Sequence, residues 1–144
     1  MNGTVLQLIA SFFGALGFSL IFNVEKKHLL PCAAGGVAVW GAYLASADLL
    51  GLNDLLSAAV SAAVCQLLAE GLARLLKAPT TTFCIPALVP LIPGGSLYRT
   101  MDAVILRDWA AFRAYGSATL QVAFGIALGL SFVSGILFIL RRKK

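Results

Sequence analysis

Charge is what this sequence has least of. Asp, Glu, Lys and Arg make up 12% of its 144 residues, against roughly 25% in an ordinary soluble domain. Histidine occurs once and cysteine three times, at Cys32, Cys65 and Cys84, with no paired spacing of the kind that holds a metal or frames a disulfide scaffold. The three cysteines read as small hydrophobes inside apolar segments. No metal site, no cofactor motif and no nucleophile beside a base can be assembled from such a set, which argues against an enzyme. A basic stretch ahead of the first apolar run is also missing, and at Thr4 to Val24 that run is long enough to span a bilayer. The first helix is therefore expected to remain, and not to be removed as a secretory signal.

What replaces charge is apolar residues, at 60% of the chain, with a mean hydropathy of +0.92. The expectation is an all-α integral membrane protein forming one transmembrane domain over residues 1–144. The net charge of +5 does not point to nucleic acid, because the basic residues gather at the ends of apolar runs, as the positive-inside rule predicts. Lys26, Lys27, Arg74, Lys77 and the last four residues, Arg141 to Lys144, account for eight of the 11 basic side chains. They assign the loop at residues 25–28 and the C-terminus to the cytoplasm. The loop from Asp48 to Asp54 carries no Lys or Arg and reads as external, which places the N-terminus outside. Arg99, Arg107 and Arg113 fit this scheme least well.

Five spans are predicted, at about 4–24, 29–47, 53–76, 80–109 and 117–140. Three carry rows of small or polar residues at four-residue spacing. These are Gln7, Ser11, Ala15, Ser19 and Asn23 in the first; Ser57, Ser61 and Cys65 in the third; and Ser117, Gln121, Gly125 and Gly129 in the last. Gly35, Gly36 and Gly41 serve the same end in the second. Small residues let helices approach closely. Asn23 stands at the membrane edge, where it either caps the charged loop or faces a cavity. His28, beside two lysines, reads as a solvated loop residue. Glu70 precedes Arg74 by one turn, the favourable order for an ion pair.

The fourth span is different. Between Pro79 and Tyr98 it is uncharged, yet Pro86, Pro90 and Pro93 interrupt it and Gly94 and Gly95 follow. Each proline lacks an amide hydrogen and clashes with the carbonyl four residues back. Backbone groups freed in hydrocarbon cost several kcal/mol each unless protein or a water-filled cavity satisfies them. Transporters use such broken helices to hold substrates near the midplane; a packed proline kink without a ligand is the competing reading. The candidate binding residues are Pro90, Pro93, Gly94, Gly95, Ser96, Tyr98 and Arg99, with Asp102 and Asn23. Ser96 is the expected N-cap of the second half, whose amides suit a carboxylate. Tyr98 and Asp102 share a helix face, and Arg99 either pairs with Asp102 or meets the ligand.

Two segments carry a family resemblance: Gly17-Phe18-Ser19-Leu20-Ile21-Phe22-Asn23-Val24, and Ile85-Pro86 through Val89-Pro90-Leu91-Ile92-Pro93-Gly94-Gly95 with Tyr98 and Met101. Together they resemble the small subunit of the threonine/serine exporter family in its split two-chain form. The resemblance implies a secondary exporter of small amino acids in the cell membrane, driven by protons and completed by a larger membrane subunit. Some split relatives are linked to dicarboxylate export, so an exporter of dicarboxylates such as succinate is the alternative. An odd number of spans independently fits a partner inserted with inverted topology. A membrane scaffold would explain the small-residue rows, but not three prolines and two glycines in one span.

Overall fold

A computed structural model describes residues 2–142. All regular structure among them is helical: α1 (Asn2–Ile21), α2 (Lys26–Asp48), α3 (Asp54–Leu76), α4 (Thr80–Leu88), a 3₁₀ turn (Val89–Leu91), α5 (Gly94–Ile105) and α6 (Trp109–Arg142). Helices α1, α2, α3 and α6 are each long and apolar enough to cross a membrane. Helix α4 with its 3₁₀ turn, and α5 after it, form a further pair bent by 50°, which makes five spans if the pair is one. The expected all-helical membrane architecture with a broken fourth span is the one observed.

Local signals explain the helix ends. Asn53 accepts a hydrogen bond from the Leu56 amide at 2.9 Å and caps α3. Asp108 does the same for α6, accepting from Ala110 and Ala111 at 3.1 and 3.0 Å. Asn23, Lys77 and Arg107 all adopt left-handed φ, near 50° to 55°, and close α1, α3 and α5. In each case the next amide returns to the carbonyl five residues back: Val24 to Ser19, Ala78 to Ala73 and Asp108 to Ala103. Asn23 therefore lies just past the end of α1, whereas the sequence pattern extends that helix to Val24.

The strongest packing joins α3 to α6. A Cβ placed on Gly125 would collide with the Leu55 carbonyl and the Ala58 side chain; on Gly129 it would meet the Ala59 carbonyl and Ala62 in the same way. The predicted small-residue pair is thus a backbone-to-backbone seam. Gly36 seats against Ala15 and Ser11 of α1, and Gly35 lies 3.1 Å, from its ideal Cβ, to Ala87 of α4. Ser19 and Ser61 satisfy their buried hydroxyls on their own helices, donating to Ala15 and Ser57 carbonyls at 2.7 and 2.9 Å. The other face of the bundle is apolar and open. Phe13 and Leu20 of α1 and Phe124, Leu128 and Phe132 of α6 are exposed, as lipid-facing side chains would be.

Two ends are distinguished by charge. At the basic end, Glu70 is buried, with its side chain 10% exposed, and pairs with Arg74 at 3.1 Å and with Arg141 of α6. Thr80, at the start of α4, donates to its other oxygen at 3.2 Å. Glu70 therefore clamps α3, α4 and α6 together and does not lie at an exposed interface. At the opposite end the Tyr43 hydroxyl donates to Asp54 at 3.1 Å, and Trp40 Nε1 donates to Gln7 at 3.3 Å.

The structure revises three further expectations. His28 is not solvated: it is 2% exposed, in the first turn of α2, with its ring edge-on to Phe83. Residues 110–116, which separate the last two predicted spans, are helical as well, so α6 starts at Trp109 and has 34 residues, about 51 Å at 1.5 Å per residue. Its first turns run past the start of α3, since Gly125 is already level with Leu55. That overhang packs against α5, where Thr100 approaches Gly116 and the Arg99 guanidinium lies 5.5 Å from the centre of the Tyr115 ring. Arg99, Arg107 and Arg113 all belong to this α5–α6 hairpin. The cysteines are not isolated either: Cys65 and Cys84 sulfurs lie 3.9 Å apart.

Candidate functional site

The break in the fourth span is built by three prolines whose freed carbonyls all find partners. Pro86 cannot bond to the Thr82 carbonyl, which instead accepts from the Cys32 thiol of α2 at 3.3 Å. Pro90 leaves the Pro86 carbonyl to the Val89 amide. Pro93 leaves the Val89 carbonyl to the Ile92 amide at 3.1 Å. Each proline is thus accommodated by tightening the helix into a 3₁₀ turn or by a neighbouring helix.

The chain then reverses its hydrogen bonding around Pro93. With φ −77° and ψ 53°, Pro93 forms an inverse γ-turn in which the Gly94 amide donates to Ile92 at 2.7 Å. Helix α5 begins at Gly94, and its first intrahelical bond runs from Leu97 N–H to Pro93 at 3.0 Å. The amides of Gly95 and Ser96 precede that bond. Pro93, not Ser96, occupies the N-cap position, and Ser96 is the third residue of α5. Ser96 falls one turn inside because the γ-turn starts the helix earlier than its side chain would.

A cavity of about 250 Å³ opens at this point, bordered by Pro90, Pro93, Gly94, Gly95 and Ser96 and walled by Trp40 and Tyr43 of α2. An added Cβ at Gly94 or Gly95 would meet nothing within 4 Å, in contrast to Gly36, Gly125 and Gly129. A second cavity of about 240 Å³ lies across Pro90, bordered by Gln7, Ser11 and Trp40. The sequence pattern alone does not bring Trp40 and Tyr43 to this site. Their place in the site follows from α2 running parallel to α4, a relation fixed by the Cys32–Thr82 and Gly35–Ala87 contacts.

The remaining candidates are placed elsewhere. Tyr98 is 72% exposed, and Asp102 is also exposed, with no ion pair to Arg99. Arg99 faces Tyr115, because α6 and not α5 presents the nearer partner. Asn23 lies at the basic end, 16 residues beyond Gln7 in the chain and so about 24 Å along α1. It borders a different cavity, of about 400 Å³, with Glu25, His28, Thr81 and Thr82. No sequence pattern marks that cavity, because His28 reads as part of a charged loop.

The family model described as threonine/serine exporter, ThrE, matches residues 7–136. The chain belongs to the threonine/serine exporter family. The match runs from within α1 to within α6 and takes in the whole of the break. No solved structure matches. Membership makes the broken span of this exporter-family chain part of a membrane transporter, and the chain a multi-pass membrane protein.

Proposed function

We propose that this chain is the small subunit of a two-component, proton-coupled exporter of threonine- or serine-like amino acids, and that its broken span holds the substrate. The observation that carries this reading is that the break opens on a cavity where Gly94 and Gly95, at the start of α5, meet Trp40 and Tyr43 of α2. Glycines at that border let a ligand approach the main chain closely. The amides of Gly95 and Ser96 open a helix and are polarised for a carboxylate. In this reading Pro90 and Pro93 shape the turn and Trp40 and Tyr43 wall it. Tyr98, Arg99 and Asp102 lie on the exposed α5 surface, where they would serve a partner or a later conformation.

In this reading the N-terminus lies outside and the C-terminus in the cytoplasm; the Lys and Arg distribution along the chain supports it. The larger subunit supplies the other, inverted half of the transporter. The deciding experiment is export rate per assembled complex for Gly94→Val and Gly95→Val. Loss of transport with normal insertion supports the site. Near-normal rates in both variants would move it across Pro90 to the cavity of Gln7 and Ser11.

A further inference from the structure

Between α2 and α3 an apolar groove of about 480 Å³ opens on the surface of the bundle. Leu30, Ala34 and Ala38 of α2 border it on one side, and Leu68 and Leu72 of α3 on the other. Among the described residues, only apolar ones border it. The alanines make the groove: both are exposed, and both fall short of the leucines around them. Its length limits what it holds. Leu30 to Ala38 covers about 12 Å of helix, close to the roughly 15 Å of hydrocarbon in one leaflet. A spanning helix of about 20 residues would need a seam twice as long.

The groove begins at the basic end. Lys26 lies one turn before Leu30, on the same four-spaced row as Leu30, Ala34 and Ala38. Lys77 closes α3. Val24 and Ala78 pack on one buried cluster with Cys32 and Ala73, which holds the start of α2 beside the end of α3. The acidic groups there are already taken: Glu25 pairs with Lys27, and Glu70 with Arg74 and Arg141. Lys26 and Lys77 are exposed and form no ion pair among the described residues. Two free cations thus stand at the mouth of an apolar groove one leaflet deep.

We propose that the groove is a binding site for an anionic phospholipid. One acyl chain fills the space over Ala34 and Ala38, and the phosphate lies against Lys26 and Lys77. Basic pockets between spanning helices bind anionic headgroups on the same principle. A zwitterionic lipid brings the same tail and phosphate, but its ammonium meets the two lysines, and like charges repel. The charge at the mouth therefore selects the headgroup, while the alanines admit the tail. The inference needs only the membrane location of the chain and is independent of what the chain exports.

The test uses the full chain, with any subunit that co-purifies, in phosphatidylcholine nanodiscs. These carry a trace of phosphatidylglycerol or of phosphatidylcholine with a photoactivatable diazirine in the acyl chain. Adducts are mapped by mass spectrometry, and those on the exposed Phe124 and Phe132 of α6 measure general lipid contact. Relative to these, adducts on Leu30, Ala34, Ala38, Leu68 and Leu72 should be enriched for phosphatidylglycerol over phosphatidylcholine. The enrichment should fall about fivefold for each of Lys26→Gln and Lys77→Gln, and Lys26→Arg should keep it. Ala34→Leu fills the floor of the groove without entering the core. It should remove the groove adducts of both lipids and leave those on α6. Equal labelling by the two lipids, or a preference that survives the double lysine variant, overturns the site. Groove adducts that persist in Ala34→Leu do so too. Groove adducts that appear only after a co-purifying subunit is stripped away give the groove to that subunit and likewise overturn the proposal.

Discussion

The thiol of Cys32 lies 3.3 Å from the carbonyl oxygen of Thr82 and donates to it. That carbonyl is the one that the ring of Pro86 deprives of its helical partner. A cysteine on α2 thus repairs a proline on α4, and the repair fixes the register in which the two helices run side by side. Cys32→Ala should leave the carbonyl unsatisfied in an apolar setting and lower stability by about 1–3 kcal/mol. Cys32→Ser, which keeps a donor, should cost less. In a Pro86→Ala background the alanine amide takes over the carbonyl, and Cys32→Ala should then be nearly silent. Thermal unfolding of the four purified variants gives the double-mutant cycle; equal cost in both backgrounds would mean that the thiol contributes only volume.

Glycines at the two kinds of position should respond oppositely to the same substitution. Gly125→Val drives a side chain into the Leu55 carbonyl and the Ala58 methyl, and overpacking of that sort costs about 1–3 kcal/mol or more. The α3–α6 seam should separate, with loss of monodisperse protein on size exclusion. Gly94→Val should leave the elution profile and melting temperature close to those of the unaltered chain, because its Cβ enters open space. Aggregation of the Gly94 variant would show that the break is packed by something other than ligand.

Glu70 binds three elements at once: Arg74 on its own helix, Arg141 on α6 and Thr80 on α4. Arg74 and Arg141 are more than half exposed, so solvent screens their share and each pair alone contributes about 1 kcal/mol or less. Glu70→Ala removes all three contacts and should destabilise the basic end by about 1–3 kcal/mol, with α4 loosening first. Hydrogen exchange at the Thr80–Thr82 amides is the readout. Unchanged protection there would assign Glu70 a role other than clamping.

Topology is open to direct labelling. A cysteine introduced at Gly51, in the loop between α2 and α3, is expected to react with a membrane-impermeant reagent added outside intact cells. The background should have Cys32, Cys65 and Cys84 replaced by serine or alanine. Reaction only after permeabilisation would invert the assignment made from the Lys and Arg distribution.

Dependence on a second subunit is equally accessible. Vesicles containing the purified chain alone are expected to show no threonine flux above empty vesicles. Flux should appear when the larger family member is co-reconstituted. Full flux from the lone chain would instead make it a homo-oligomeric exporter.

Most of the architecture was legible in the sequence, because hydrocarbon admits few solutions for a backbone. Apolar runs of about 20 residues become spanning helices, and four-spaced small residues become seams, as Gly125 and Gly129 do. The Pro-rich stretch had to break, since no bilayer helix absorbs Pro86, Pro90 and Pro93 in so few turns. The start of α6 was missed because Arg107, Asp108, Trp109, Arg113 and Tyr115 mix charge with aromatic rings. Composition there announces an interface, but it does not say whether the backbone is coiled into a helix. The N-cap was misplaced for a related reason: Ser96 has the right side chain, but the γ-turn at Pro93 starts the helix first.

What only the tertiary structure decided is which residues share a space. The sequence puts Asn23, Arg99 and Asp102 on one list of polar candidates; folding sends Asn23 to the basic end and turns Arg99 toward Tyr115. It brings Trp40 and Tyr43 to the break and buries His28, which local sequence placed in water. The physical reason is that helix formation and span length depend on residues near one another in the chain. Side-chain surroundings depend on how distant helices are paired, and that pairing is set by contacts such as Cys32 with Thr82 and Gly125 with Leu55, which no local pattern encodes.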